Sequence, residues 1–372
     1  MDPYVILRSA LEGEEITTIE ALLLMQQEKS FIPEIFQVAD EINKRLNRDT
    51  VTFVHSNMIT YTNVCRAGCK FCSYYRKKGE KGSFAHTIDS VLEAISANNN
   101  ITEVCLQGGL NPELKFNFFH ELFKQIRKNF PELHIHALSP AEIYFLSKRN
   151  RMPVHDILTK FKEAGLNTIP GTAAEILNDK LRKKICPDKI RTNDWIDIVK
   201  TAHRMDIKTS VSLLYGHIED EIYVSEHMEI IRNIQKETGG ITEFIAIPFM
   251  PDNSQLQRRN VVTEQRDWDE IFRVIAVCRI YFGTAIRNIQ LNWHLVGLEN
   301  AVHGVTTGVN DIGNTIMTSS PKNKGKKVEK ISMVNFEKAF TKIGRLLKQR
   351  DSYYNMINKT PKHKLSLCTV QN

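Results

Sequence analysis

Three cysteines fall within eight residues, in the run Asn63-Val64-Cys65-Arg66-Ala67-Gly68-Cys69-Lys70-Phe71-Cys72. A C-x3-C-x2-C spacing gathers thiolates, and thiolates bind metal. A closed structural zinc site takes four ligands, and no histidine stands at finger spacing, so zinc on three cysteines is an uncommon alternative. Three thiolates can instead hold a 4Fe–4S cluster and leave its fourth iron open to an outside ligand. Arg66 and Lys70 would offset part of the negative charge of such a cluster. The chain carries seven cysteines, an odd number, which argues against a disulfide framework. Cys105, Cys186, Cys278 and Cys368 are scattered singly and read as small buried hydrophobes.

The elements that must position this run alternate. Strand-like apolar stretches fall at Met58–Thr62, Thr102–Leu106, Leu133–Ala137, Leu166–Ile169, Lys208–Leu214, Thr242–Pro248 and Asn288–Asn292. Helical patterns lie between them. In Trp195–Met205 the residues Trp195, Ile198, Val199, Ala202 and Met205 keep the spacing of a helix packed on one side, with Asn193 or Asp194 placed to cap it. Strands alternating with helices imply parallel strands joined by crossovers. Their number favours a (β/α) TIM-type barrel over an open doubly wound sheet. The cysteine run follows the first strand, at the C-terminal mouth where barrel active sites gather.

Three segments are expected: N-terminal helices over 1–50, a core barrel over 51–285, and a C-terminal barrel-completing and helical segment over 286–372. The helices break near Ser30–Pro33. The basic, polar tract Ser319–Lys330 reads as an exposed loop, and Asn335–Gln349 as a closing helix.

Composition is that of an ordinary globular chain: 372 residues, 42% hydrophobic, 25% charged. The formal net charge of +7 suits anionic small ligands as well as nucleic acid and decides nothing alone. No apolar run approaches the roughly 18–20 residues of a membrane helix. The opening Met1-Asp2-Pro3-Tyr4 lacks a secretory pattern. A cytoplasmic location is expected.

With Phe71 just before its last cysteine, the run resembles the radical S-adenosylmethionine (radical SAM) superfamily. The resemblance implies a 4Fe–4S cluster on Cys65, Cys69 and Cys72, its open iron chelated by the amine and carboxylate of S-adenosylmethionine. Reductive cleavage then yields a 5'-deoxyadenosyl radical that abstracts hydrogen from substrate. It also places Phe71 near the adenine and the backbone of Gln107-Gly108-Gly109-Leu110 near the methionine amine.

Further stretches narrow the resemblance: Ile135-His136-Ala137-Leu138-Ser139-Pro140-Ala141-Glu142, Ile169-Pro170-Gly171-Thr172-Ala173-Ala174-Glu175, Ile185-Cys186-Pro187-Asp188-Lys189, Ser212-Leu213-Leu214-Tyr215-Gly216-His217-Ile218-Glu219 and Thr238-Gly239-Gly240-Ile241-Thr242-Glu243-Phe244. Together they are similar to the 4-hydroxyphenyl transferase subunits of FO synthase, the deazaflavin-forming enzyme on the route to coenzyme F(420). The substrates implied are L-tyrosine and 5-amino-6-(D-ribitylamino)uracil. A second radical SAM subunit and an external one-electron donor are the implied partners, with no nucleic acid and no membrane. On this resemblance His217, Tyr215 and Glu175 are the catalytic candidates, His217 as a proton carrier near neutral pH. Phe71, Gln107, Gly108, Gly109, Ser139, Glu219 and His136 are the cofactor-binding candidates.

Alternatives stay open. Menaquinone-pathway futalosine cyclases and synthases are close relatives of that family. The tract Met317–Lys330 lacks the acidic residue and Ala-Gly pair expected there, as a paralogue with another acceptor would. An electron-transfer protein would need Cys105 as a fourth ligand. A nucleic-acid-binding zinc module would use Tyr74-Tyr75-Arg76-Lys77-Lys78.

Overall fold

In the computed structural model, which describes residues 1–98, 100–318, 328–357 and 366–370, the apolar runs become parallel strands. They are β1 (Thr50–Thr60), β2 (Glu103–Gln107), β3 (His134–Ala137), β4 (Thr209–Tyr215), β5 (Ile241–Pro248), β6 (Ile289–Gln290) and β7 (Asp311–Thr318). Hydrogen bonding orders them β3-β2-β1-β7-β6-β5-β4. Two single parallel bridges, His136 to Thr168 and Ile169 to Thr209, carry β3 across to β4. The sheet thereby closes on itself as a barrel with residues 168–169 as its eighth stave, where a full strand is expected from the sequence.

Strand β1 is longer than its apolar pattern. It begins at Thr50, not Met58, and its polar residues Thr52, His55, Ser56 and Asn57 are all buried. Central strands of a parallel sheet are covered on both faces, so side chains there are buried whatever their polarity. Asn57, for one, donates to the carbonyl of Ala94 in the covering helix at 3.1 Å.

The helix Thr192–Arg204 buries Trp195, Ile198, Val199 and Ala202 as its period requires. Its cap differs from expectation. Arg191 occupies the cap position without a side-chain bond, and Asp179 from the preceding helix accepts from the Thr192 amide (3.1 Å) and hydroxyl (2.9 Å). Helices Pro3–Glu12, Thr18–Met25 and Ile32–Asn47 precede the barrel, separated at Lys29–Phe31 by one 3-10 turn.

The expected closing helix is only half present. Met333–Thr341 is helical, but Leu346–Arg350 is a strand, β9, after β8 (Val328–Ser332), which pairs antiparallel with β10 (Ser366–Val370). The apolar spacing Phe336, Phe340, Ile343, Leu347 continues a helical period, yet Gly344 adopts φ +71° and stops it. Residues 319–327 of the tract expected as an exposed loop lie outside the described residues.

Strand β9 runs parallel to the first half of β1, Thr50–Val54, while β2 pairs with Ser56–Thr60. The C-terminal chain therefore reaches the N-terminal ends of the barrel strands. There buried Arg350 bonds Asp311 at 2.5 and 3.0 Å and Glu243 at 3.0 Å. Thr52 donates to Asp311 at 2.6 Å, Tyr354 to Glu243, and Ser352 to Glu103 at 2.5 Å. Removing one partner of a buried ion pair leaves the other charge uncompensated. Arg350→Ala should therefore lower unfolding free energy by about 3–5 kcal/mol. Denaturant unfolding measures this, and a loss under about 1 kcal/mol would mean that water already compensates Asp311.

Candidate active site

The loop leaving β1 folds back on itself through bridges Thr62 to Ala85 and Val64 to Arg76. Its inner edge lies along the backbone that follows β2. Gly109 donates to the Thr62 carbonyl at 2.9 Å and Arg66 to the Leu110 carbonyl at 3.2 Å. This approach admits no side chain. A Cβ at Gly109 would stand 2.3 Å from the Val64 carbonyl oxygen and 2.8 Å from Cys65 Cβ; one at Gly108 would meet the Tyr61 ring at 2.6 Å. On its outer edge the loop is held by the Leu256 amide, which donates to the Lys70 carbonyl at 3.0 Å, and by Gln255, which bonds the Tyr75 hydroxyl at 2.8 Å.

Two of the three thiols face backbone donors. Cys65 Sγ accepts from the amides of Leu110 (3.3 Å) and Ala67 (3.4 Å). Cys72 accepts from the amides of Tyr74 and Tyr75, although burial still pushes its thiol up. Cys69 turns elsewhere. The Cys186 thiol beside it, together with burial, raises it well above an ordinary cysteine. Among the described residues no three His, Cys, Asp or Glu side chains are gathered tightly enough to hold a metal ion. The donor set nevertheless suits an iron–sulfur cluster: three thiols on one clamped loop, two already receiving the N–H donors that a thiolate needs.

Beside Cys69 lies Glu175, whose oxygens meet Lys189 Nζ at 2.5 Å and Arg182 Nη1 at 3.4 Å. Burial lowers the Lys189 ammonium, but the charge of Glu175 and the nearby thiols outweigh it and hold the pKa above the ordinary lysine range. The same ammonium stands 5.6 Å from the ring centroid of Phe71. Arg182, fully buried, also donates to the carbonyls of Ala173, Ala174 and Ile190. This fan holds Ala173 (φ +69°) and Glu175 (φ +44°) in the left-handed region that non-glycine residues avoid.

Ser139 caps the helix Pro140–Asn150 and pairs with Glu142 in a capping box. Glu142 accepts four donors: the Ser139 amide (2.7 Å) and hydroxyl (2.5 Å), the Gly108 amide (3.2 Å) and the Tyr61 hydroxyl. Burial raises its carboxyl against the lowering of these bonds. Gln107 Oε1 accepts from Thr172 at 3.2 Å, and His136 Nδ1 lies 2.7 Å from Oγ1 of Thr168 on the neighbouring stave.

After β4, Glu219 accepts from the amides of Gly216 (2.5 Å) and His217 (2.8 Å) and lies 3.5 Å from Arg266. Burial works to raise its carboxyl, but His217 and Arg266 hold it below the usual range. His217 Nδ1 stands 2.7 Å from the Ile218 amide and 2.9 Å from Glu219. Its Nε2 is buried and has no hydrogen-bond partner among the described residues. Tyr215 is separate from this group. Its hydroxyl donates to the Ile271 carbonyl at 3.2 Å, in the layer between β4 and the helix Trp268–Phe282. The inside–outside alternation of a strand explains this: Tyr215 shares the outer face with Val211 and Leu213.

The structure thus joins Cys65, Cys69, Cys72, Phe71, Glu175, Gly108 and Gly109 in one neighbourhood, and Glu219 with His217 in a second. Tyr61, Glu142, Arg182, Lys189, Cys186 and Arg266 complete these groups. None was singled out from the sequence, although Glu142, Cys186 and Lys189 lie in the stretches that carry the family resemblance.

A family model described as the Radical SAM superfamily matches residues 59–231, and one described as the CofH/MqnC C-terminal region matches residues 238–362. The 5-amino-6-(D-ribitylamino)uracil–L-tyrosine 4-hydroxyphenyl transferase of Methanococcus vannielii is 36% identical over 94% of this chain and 99% of its own length. Transferase 1 of that name from Methanosarcina mazei is 39% identical over 91% of this chain and 90% of its own. Among solved structures, methylornithine synthase (PylB) superposes with TM-score 0.69 at 16% identity, covering 92% of this chain and 97% of that one. The hydrogenase maturase HydG from Carboxydothermus hydrogenoformans gives 0.72 at 15% identity, covering 95% and 80%. These two likenesses concern the fold.

The close approach at Gly109 makes a prediction. Gly109→Ala should displace the loop at Val64–Cys65 and reduce iron per chain at least severalfold after anaerobic reconstitution, with far-UV circular dichroism unchanged. Cys105→Ala serves as the control and should load normally. Full iron content in Gly109→Ala would show that the clamp does not position the thiols.

Proposed function

The chain belongs to the radical SAM superfamily and, within it, to the family of its 4-hydroxyphenyl transferase relatives, and on that premise we propose a division of labour among its residues. The reaction moves the 4-hydroxybenzyl group of L-tyrosine onto 5-amino-6-(D-ribitylamino)uracil. The observation that carries this is identity of 36–39% over more than nine-tenths of the chain to relatives bearing that activity.

Membership of the superfamily implies a 4Fe–4S cluster and S-adenosylmethionine, which when bound supply a 5'-deoxyadenosyl radical. Cys65, Cys69 and Cys72 hold the cluster from the clamped loop. Phe71 and the bare backbone at Gly108–Gly109 border the S-adenosylmethionine site, and Glu142 orients that backbone through the Gly108 amide. Glu175 is committed to Lys189 and Arg182 and therefore fixes the ammonium beside the cysteine loop instead of handling protons itself.

His217 carries the proton transfer. According to the tautomer, the Ile218 amide donates to Nδ1 or Nδ1 donates to Glu219, and either way Nε2 is left for a substrate atom. Gln107 and His136 contribute polar contacts for the two substrates. Tyr215 supports β4 from behind. An external carrier delivers the electron, and a second radical SAM subunit closes the deazaflavin ring. No helix among the described residues is long and apolar enough to cross a membrane. A cytoplasmic location accords with such partners.

Anaerobic protein with reduced cluster, S-adenosylmethionine and L-tyrosine should form 5'-deoxyadenosine, and mass spectrometry should find the 4-hydroxybenzyl adduct of the ribitylaminouracil. Turnover of a futalosine derivative with no adduct from tyrosine would give the function to the menaquinone pathway. His217→Gln should keep its iron and lose about 10²–10⁴-fold in kcat. Unchanged kcat would move the proton-transfer role elsewhere.

A further inference from the structure

Two histidines of β3 meet one hydroxyl. His134 Nε2 and His136 Nδ1 each stand 2.7 Å from Oγ1 of Thr168, on the stave that carries β3 across to β4. Thr168 is buried and its backbone is fixed on both sides. Its amide donates to the Ile135 carbonyl at 3.2 Å, and its carbonyl accepts from the Ala137 amide at 3.1 Å. Asn167 holds the same segment, its Oδ1 accepting from the Ile135 amide at 2.8 Å and from Arg127 at 2.9 Å. The alternation of a strand puts His134 and His136 on one face of β3, with Glu103 and Cys105 opposite them in register on β2. His134 begins the strand, at the end where Ser352 bonds Glu103 and the Tyr353 ring lies edge-on to the imidazole at 5.1 Å. His136 lies nearer the mouth.

A hydroxyl has one proton to give. Between two neutral rings, Thr168 donates to one nitrogen and accepts an N–H from the other. If it donates to His136 Nδ1, both rings carry their protons on Nε2. If it donates to His134 Nε2, both carry them on Nδ1. A mixed pair leaves either the hydroxyl proton or one ring nitrogen without its bond, a cost at a buried hydroxyl. Burial keeps both rings neutral near pH 7. It pushes His134 down to about 4 and lowers His136 as well, against the pull of Glu103 on both and of Asp351 on His134. Arg127 lowers His134 further, and Arg350 lowers His136.

We propose that Thr168 and His134 are positioning residues for His136: the shared hydroxyl ties the two rings to one tautomer and hands a proton accepted at His136 on to His134. With both rings protonated on Nδ1, His136 Nε2 is bare and takes a proton from substrate. The His136 Nδ1 proton then passes to the Thr168 oxygen while the hydroxyl proton passes to His134 Nε2. His134, only partly buried, sheds its Nδ1 proton to water at the barrel end. Both rings finish protonated on Nε2. One proton has entered on the mouth side and one has left at the far end, with no side chain displaced. This rests on the reading above that His136 meets substrate, and it adds a second proton route beside His217.

The first measurement needs no turnover. The full chain, carrying isotope-labelled histidine and an oxidised cluster, is read by nitrogen NMR, with the two rings identified by the signals lost in His134→Gln and His136→Gln. Near neutral pH both should carry their proton on the same ring nitrogen. Opposite tautomers overturn the proposal. The second measurement compares Thr168→Val, of nearly the same shape, with Thr168→Ser, which keeps the hydroxyl. Both should load iron as the unaltered protein does. Thr168→Val should lower kcat by about tenfold with KM nearly unchanged, less than the loss of an acid–base group itself costs. Thr168→Ser should recover most of that rate. Unchanged kcat in Thr168→Val overturns the proposal, and so does an equal loss in Thr168→Ser, because packing and not the hydroxyl would then be responsible. Absence of any adduct from the unaltered protein overturns the proposed reaction instead, and the tautomer measurement still decides for or against the bridge.

Discussion

The backbone of the cysteine loop lies on the backbone that follows β2 with nothing between them, and the site depends on that contact. Strands β1 and β2 pair in register up to Thr60 and Gln107. Beyond the strand ends the pairing continues through Gly109 to Thr62 and Arg66 to Leu110, and then through the Leu110 amide to the Cys65 sulfur itself. The loop is thus an extension of the sheet. A metal-binding loop carried on flexible backbone would spend part of its binding free energy on ordering itself. Here the folding of the barrel has already met most of that cost.

Three buried carboxylates surround the mouth, and each is satisfied differently. Glu175 meets two cations. Glu219 meets one cation, one imidazole and two amides. Glu142 meets four neutral donors and no cation. Their environments push them apart, Glu142 upward through burial and Glu219 downward through its charged neighbours. An ionised Glu219 keeps the His217 ring oriented at neutral pH, whereas a Glu142 without a countercharge suits a structural knot among β1, β2 and β3.

The parts of the fold that were legible in the sequence are those built on apolar periodicity. Strands β2 to β5 and the helix around Trp195 follow from runs of Val, Ile and Leu at the right spacing. The first half of β1 does not, because Thr52, His55, Ser56 and Asn57 break the pattern although all four are buried. Strand β9 was hidden by a helical period that crosses Gly344, a residue whose left-handed backbone ends the helix. At the site, motif spacing located the thiols and the glycine pair. It could not reveal that Tyr215 faces outward, since that depends on strand phase. Nor could it pair Cys69 with Cys186, since that depends on two loops meeting.

The closure of the barrel assigns its two arcs to different parts of the chain. Strands β2 to β4 and the last two residues of β1 fall within the span of the superfamily match, whereas β5 to β7 and the strand β9 come from the span of the CofH/MqnC match. The first arc carries the cysteine loop, Gly108–Gly109, Glu175 and His217. The second supplies Asn292, just past the C-terminal end of β6, and Glu243 and Asp311 at the opposite end, where Arg350 and Tyr354 from the C-terminal chain bind them. Among the described residues an ion network thus occupies the end of the barrel opposite the cysteine loop. On the proposed assignment the first arc both holds the thiols and meets the substrates through Gln107, His136 and His217, while the second arc closes the far end of the barrel.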